Sequence, residues 1–232
     1  MNSTTIFWAA DSTVQKNDIR TYPQTGIGQV FSLYTREGVT VSNHAKNGRS
    51  TKSFMDEGRL AAIDAQIGAG DFLFIQFGHN DEKREDPARY TEPFSTYMEN
   101  LYCYIDVARS HQAFPVLITP LERRCFVDAN HLGMGEHSDY VAAMKQTAER
   151  HQVPLVDLYS MSRSALKEAG EAESRRWYMY FDAGCYPNYA EGKQDNTHLR
   201  YEGAVRYAGL IARGLYALDG VYKDLLLDGI DL

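Results

Sequence analysis

The sequence predicts a three-layer α/β fold around a five-stranded parallel sheet. Three observations predict it. Short β-type runs alternate with longer segments of helical period. The runs recur roughly thirty to forty residues apart, which leaves room for a crossover helix each time. Most of them are apolar on both faces, as strands covered by helices on each side must be.

The first run, residues 5–9, reads Thr-Ile-Phe-Trp-Ala, and the second is residues 39–43. The third, residues 72–77, and the fourth, residues 114–119, are the most apolar; a short fifth covers residues 154–157. Between them, residues 90–112 and 137–152 carry helical periodicity. In the latter, Tyr140, Val141, Met144 and Ala148 recur at spacings of three and four. From Tyr201 onward, Ala204, Tyr207, Ala208, Ile211 and Leu215 mark an amphipathic closing helix. Residues 170–196 have no clear period but hold Trp177, Tyr178, Tyr180, Phe181, Tyr186 and Tyr189. They read as a long loop, of the kind that tends to be functional. No repeat, low-complexity tract or Pro/Ser-rich linker divides the chain, so one domain over 1–232 is expected.

Composition bounds the function class. With 44% hydrophobic and 24% charged residues in 232, the chain is of ordinary soluble type and long enough for a core that needs no disulfides. Cys103, Cys125 and Cys185 are odd in number and in no CxxC spacing, as expected of reduced thiols. A net charge of −7 argues against general affinity for nucleic acid or an anionic membrane. No apolar stretch approaches the roughly 20 residues that span a bilayer. The apolar run Ile6 to Ala10 is too short for a signal-peptide core and has no basic segment before it, so a cytoplasmic protein is expected.

In an open parallel sheet, ligands bind at the carboxyl ends of the strands. Asp11-Ser12-Thr13 follows the first run, Asn47-Gly48-Arg49-Ser50 the second, and Gly78-His79-Asn80-Asp81 the third. A serine at such a rim suits an acyl-transfer nucleophile, although a helix cap explains Ser12 equally well when it is taken alone. Asp195-Asn196-Thr197-His198 lies just before the closing helix. Three-residue spacing on a turn lets the Asp195 carboxylate reach Nδ1–H of His198 and leaves Nε2 to accept a proton. A capping Asp195 beside an incidental His198 is the competing explanation. The Asn80 side chain and the Gly48 N–H could hold a developing oxyanion; both also fit ordinary turns.

Taken together, these segments resemble the SGNH, or GDSL-like, hydrolase family. Ser12, Gly48, Asn80 and His198 match its four blocks in order, and Asp195 matches the Asp three residues before the His. The blocks look most like those of bacterial rhamnogalacturonan acetylesterases. The resemblance implies a flavodoxin-like sheet, no cofactor, and hydrolysis of acetyl esters on pectin-derived sugars. It casts Ser12 as nucleophile, His198 as general base and Asp195 as its orienting partner, with an oxyanion hole from the Ser12 N–H, Gly48 and Asn80. The expected partner is an acetylated oligosaccharide. One departure stands out: the family places Gly before the Asp-Ser pair, and this chain has Ala10. A positive φ there would strain alanine, and its methyl could crowd an acyl pocket.

Arg49 and Arg123 are candidates to pair with uronate carboxylates, and Arg124 a third; ordinary ion pairs account for Arg49 equally well and for the other two better. The aromatics of residues 177–189 could stack on sugar rings or form a loop's own small core. His79 reads as a structural hydrogen-bonding residue. His131, Glu136 and His137 have no metal-ligand spacing, so no metal is expected. Phosphate-binding loops and a G-x-S-x-G elbow are absent from the sequence. Two other function classes stay open: an esterase of the same fold acting on xylan acetyls, thioesters or lipids, and a non-catalytic carbohydrate-binding protein.

Overall fold

The computed structural model describes residues 4–129, 131–133, 135 and 137–229. Strand β1 (Thr4–Ala10) is followed by the one-turn helix α1 (Ile27–Val30), β2 (Val39–Asn43), α2 (Thr51–Asp56), α3 (Arg59–Asp64) and β3 (Phe72–Gln76). Next come α4 (Met98–Ser110), β4 (Phe114–Ile118), the short pair β5 (Phe126–Asp128) and β6 (His131–Leu132), and α5 (Ser138–His151). Strand β7 (Leu155–Val156) leads into α6 (Leu158–Ser174), β8 (Tyr178–Phe181) and β9 (Lys193–Leu199), and the chain closes with α7 (Tyr201–Leu218) and α8 (Gly220–Lys223).

The five expected strands form one parallel sheet in the order β2-β1-β3-β4-β7. Alternating side chains of β1 feed two cores. Ile6, Trp8 and Ala10 pack with Phe74, Val116 and Ile118 against α1, α6 and α7. Phe7 and Ala9 pack with Leu73, Ile75 and Leu117 against α2, α4 and α5. This is why β1 and β3 read as unbroken apolar runs: each strand has a helix layer on both faces. The connection leaves β1 toward β2 on one side and returns through β3 on the other. Crossovers therefore diverge between β1 and β3, and such a switch point opens a crevice beyond the strand ends. Ser12 and Asn80 follow those two strands.

Two expectations change. The helical segment expected over residues 90–112 begins later, with a wide turn of π type at Pro93–Tyr97 that runs into α4. Proline is well placed in a first turn but forces the preceding residue out of the helical region, and Glu92 is accordingly extended. Residues 170–196 are not a plain loop. Gly170, at φ 74°, kinks α6, and β8 pairs antiparallel with β9. The hairpin is hard to see in sequence because β9, Lys-Gln-Asp-Asn-Thr-His-Leu, has no apolar alternation. Trp177 and Tyr178 are fully buried, so part of the aromatic cluster belongs to the core. Among the described residues, no helix is long and apolar enough to cross a membrane.

Candidate active site

Ser12 sits in the tight turn that leaves β1. The Asp11 carbonyl accepts from Val14 N and Gln15 N, and Asp11 Oδ1 accepts from Thr13 N at 2.9 Å and Thr13 Oγ1 at 2.8 Å. Asp11 therefore supplies the local side-chain cap, and no helix starts here; α1 begins at Ile27. The Ser12 hydroxyl is left for another partner, which settles the capping alternative. Ala10, the last residue of β1, pairs with Gln76 in extended backbone and is fully buried in the core. Its methyl neither strains the turn nor lines the cleft beyond it.

The partner of Ser12 comes from β9. Tyr178 pairs with Leu199 and Met179 with Asp195, so residues 196–198 bulge out of the hairpin register. Across that bulge Asp195 Oδ1 accepts from the backbone N–H of Thr197 and of His198, both at 2.9 Å. Asp195 Oδ2 meets His198 Nδ1 at 2.8 Å, and His198 Nε2 meets Ser12 Oγ at 2.9 Å. Burial would push the Asp195 carboxyl up; the His198 imidazole and the two backbone donors outweigh it and hold the carboxyl well below the usual carboxylate range. An ionised carboxylate only accepts, so Nδ1 carries the proton and donates. In the neutral ring Nε2 is then the acceptor, and the serine hydroxyl donates to it. A hydroxyl hydrogen-bonded to an oriented imidazole can be deprotonated as it attacks a carbonyl carbon.

Three donors line the same cleft as that hydroxyl. Among the described residues, the Ser12 and Gly48 N–H groups donate to no backbone or side-chain acceptor. Gly48 lies at φ 77°, where a side chain would be strained, and the turn is held from below by the capping box of Ser50 and Ser53 at the start of α2. Asn80 Nδ2 donates one hydrogen to Arg49 O at 3.1 Å, and Asn80 Oδ1 accepts from Arg89 Nη1 at 3.2 Å. The amide is thereby oriented with its second N–H free. Ser12, Gly48, Asn80 and His198 all line one cleft of about 440 Å³. Asp195 stands behind His198.

A buried polar chain runs behind the cleft. His79 Nδ1 lies 3.4 Å from Asp11 Oδ2, and its ring stacks edge-on against His137 at 4.3 Å. His137 Nδ1 meets Glu82 Oε2 at 2.6 Å; Glu82 Oε1 accepts from Arg123 Nη2 at 2.8 Å; Arg123 Nη1 donates to Thr197 Oγ1 at 2.6 Å. The chain links the turn after β1, the turn after β3 and the bulge that carries Asp195 and His198. Burial, with His137 beside it, pushes His79 down to about 4. Next to it, burial pushes the Asp81 carboxyl up to about 7, even though Thr51 and Thr91 donate to it.

These two groups oppose each other in acid. Asp81 has an ordinary value of 3.8, so between about 7 and 3.8 the folded state holds a proton that the unfolded state releases, and its contribution to stability rises as pH falls. His79 has an ordinary value of 6.5, so between 6.5 and about 4 the unfolded state takes up a proton that the folded state refuses, and stability falls with pH. Asp81→Asn removes only the first term. The melting temperature of Asp81→Asn minus that of the wild type is expected to decrease steadily from pH 8 to pH 5. A difference independent of pH would show that the Asp81 carboxyl is not buried in its neutral form.

Of the arginines singled out by sequence, Arg49 is held bidentately by Glu57, at 2.9 and 2.5 Å, and faces away from the cleft. Its guanidinium is engaged by its own chain because Glu57 closes α2 beside it. Arg123 does line the cleft, in the relay just described. Arg124 is buried, donates to Ser174 and pairs with Glu171. His131 pairs with Asp128 at the surface, and Glu136 lies outside the described residues. No group of three His, Cys, Asp or Glu among the described residues could hold a metal ion. Sequence reading missed Gln24, Asn47, Lys83, Arg89 and Lys193, all of which line the cleft. Asn47 stood one residue from a recognised glycine and Lys83 three residues after Asn80, so both could have been found; Lys193 opens β9, whose strand character the sequence hides, and Gln24 and Arg89 come from loops with no strand end to mark them.

Residues 9–204 match the GDSL-like lipase/acylhydrolase family. The chain is 43% identical over 224 residues to the rhamnogalacturonan acetylesterase RhgT of Bacillus subtilis, covering 96% of this chain and 94% of that protein. Among solved structures, protein YxiM of Bacillus subtilis superposes with a TM-score of 0.79 at 24% identity, covering 94% of this chain and 57% of that one. A catalytic mutant of Axe2, an acetylxylan esterase of Geobacillus stearothermophilus, superposes at 0.60 with 17% identity, covering 92% of this chain and 94% of that one. At those identities the two structures speak for the fold alone.

Proposed function

The chain belongs to the GDSL-like lipase/acylhydrolase family of ester-hydrolysing enzymes, and from that premise we propose that it removes acetyl groups from rhamnogalacturonan oligosaccharides with Ser12, His198 and Asp195. One observation carries the mechanism: Ser12 Oγ stands 2.9 Å from His198 Nε2, while Asp195 Oδ2 accepts from the other ring nitrogen, Nδ1, at 2.8 Å. Ser12 Oγ attacks the acetyl carbonyl as His198 takes its proton, and Asp195 stabilises the imidazolium. The carbonyl oxygen gathers charge between the Ser12 N–H, the Gly48 N–H and the Asn80 amide. His198 then protonates the sugar oxygen as it leaves. A water deprotonated by His198 attacks the acetyl-serine and releases acetate.

The substrate reading is supported by charge and by kinship. The chain carries a net charge of −7, yet Lys83, Arg89, Arg123 and Lys193 rim the cleft; Arg89 is paired with Asp86, Arg123 with Glu82, and Lys193 stands 3.8 Å from Asp195, while Lys83 makes no ion pair among the described residues. Lys83 leaves a positive charge at the cleft open to an anionic substrate, and rhamnogalacturonan carries uronate carboxylates. Asn47 Oδ1 and Gln24 Nε2 are buried in the cleft wall with no protein partner, and sugar hydroxyls could satisfy both. The 43% identical relative bears the name of the same activity. A lipid ester is disfavoured by this polar lining. Acetate release from acetylated rhamnogalacturonan oligosaccharides is expected to exceed that from acetyl-xylooligosaccharides by at least about tenfold in kcat/KM, an effect of one good charged contact. Faster release from the xylan fragments would overturn the pectic assignment.

A further inference from the structure

A second, larger groove of about 820 Å³ opens beside the catalytic cleft, and Gln24 lines both. Its size lies within the range of small-molecule sites. One wall lies within residues 17–25, the other is the start of α7 at Arg200, Tyr201 and Glu202 with Arg176, and Tyr186 of the connection between β8 and β9 joins them. That connection is tied to the first wall: Asn188 Nδ2 donates to Ile19 O at 2.7 Å and Tyr22 O at 3.2 Å, and Tyr189 OH donates to Thr21 O at 3.3 Å. Tyr22 and Tyr186 meet edge to face at 5.6 Å across the junction. Ile19 at 77%, Tyr22 at 54% and Tyr201 at 59% exposure leave apolar surface open to solvent along the groove. Large exposed apolar side chains gathered at one built surface mark a binding site.

The charges of the groove single out one residue. Asp18 is paired with Arg20, and Arg176 is paired with Glu173 and Glu202. Arg200 makes no ion pair among the described residues; its Nε donates to Tyr178 O at 2.9 Å, which fixes the side chain and leaves its two terminal nitrogens unclaimed. A planar guanidinium with free donors is suited to a carboxylate. Arg200 is the N-cap residue of α7, two residues after His198, and Gln24 lines both the groove that holds Arg200 and the cleft that holds Ser12. Gln24 Nε2 is buried and has no protein partner at this shared edge.

We propose that this groove binds the sugar chain extending from the acetylated residue, with Arg200 pairing with a uronate carboxylate and Tyr22, Tyr186 and Tyr201 packing against the C–H faces of the rings. The inference rests on the pectic reading above and extends it from one acetylated sugar to a neighbouring charged one. Arg200 does not line the catalytic cleft, so a carboxylate held by it contributes binding without taking part in the chemistry. It therefore selects among acetylated glycans by charge.

The test compares acetylated rhamnogalacturonan oligosaccharide with the same material after its carboxyls are reduced to alcohols. Wild type is expected to prefer the charged form by about tenfold in kcat/KM, and Arg200→Gln is expected to bring the ratio near one, the loss of one charge-assisted pair. Tyr22→Ala is expected to raise KM several-fold for both forms and keep the ratio. Melting curves identify any variant that fails to fold, and the Tyr22→Ala arm stands independently of Arg200. A ratio unchanged in Arg200→Gln would overturn the role of Arg200 while leaving the pectic reading intact. An unchanged KM in Tyr22→Ala would overturn the groove. Absence of acetate release by wild type from either form would overturn the pectic reading itself and this inference with it.

Discussion

Ser12→Ala is expected to lower kcat on a chromogenic acetate ester by about 10⁶-fold, leaving only the residual rate that an oxyanion site and binding supply without a nucleophile. The size of the effect follows from the geometry. The hydroxyl is the atom that attacks and the one that His198 Nε2 deprotonates, at 2.9 Å, so its removal disables attack and proton transfer together. Asp11, not Ser12, holds the turn through Thr13, so the fold has no stake in the hydroxyl. Ser12 is buried, but its hydroxyl bonds only His198 Nε2, and the half-buried imidazole can take a water in its place, so the variant should melt within a few degrees of the wild type. His198→Ala should cost a similar factor, and the double variant little more, because the two act as one unit. Retention of more than a hundredth of the wild-type rate in Ser12→Ala would remove Ser12 from the mechanism.

The second large effect belongs to Asp195→Asn, expected to lower kcat by about 10⁴-fold. The introduced amide could still accept from the Thr197 and His198 N–H groups with its oxygen, so the bulge would survive. Its nitrogen would then face His198 Nδ1, and two donors cannot bond. The imidazole would put its proton on Nε2 and lose the lone pair that Ser12 requires. The imidazolium formed during attack would also lose its counter-charge, which the depressed Asp195 carboxyl supplies across the working pH range. A loss below about tenfold would mean that Asp195 only shapes the loop. The pairing of this loss with an unchanged melting temperature separates an electrostatic role from a structural one.

Much of this site was legible in the sequence. Strand ends predict where side chains converge, and Ser12, Gly48 and Asn80 each stand one turn beyond a strand of the sheet. The spacing of Asp195 and His198 carried enough information to imply their bond, although the bulge in β9 that makes it possible was not visible. In a regular strand residues three apart point to opposite faces. Only the register shift against β8 brings them together. The hairpin itself was hidden because the side chains of Lys193, Thr197 and His198 line the cleft, and a strand with a functional face lacks the apolar alternation that announces strands.

Arg49 shows the opposite failure. It sits inside a recognised motif and at a strand end, yet Glu57, eight residues on, claims its guanidinium. Long charged side chains choose partners by tertiary proximity, which local spacing does not encode. Arg200 escaped notice for the same reason in reverse, since nothing near it in sequence says that its terminal nitrogens stay free. The substitution at Ala10 proved quiet because the residue belongs to β1, where backbone is extended and a methyl is welcome in the core.

The nucleophile can be identified without reference to any substrate. A fluorophosphonate reacts with a serine activated by an imidazole and leaves a stable phosphonyl ester, so intact mass followed by peptide mapping reads the site directly. The expected result is one adduct per chain, carried by Ser12, with activity lost in proportion to labelling and no adduct on Ser12→Ala or His198→Ala. Full labelling at a residue other than Ser12, or full labelling of Ser12 with esterase activity retained, would contradict the assignment of Ser12 as the nucleophile.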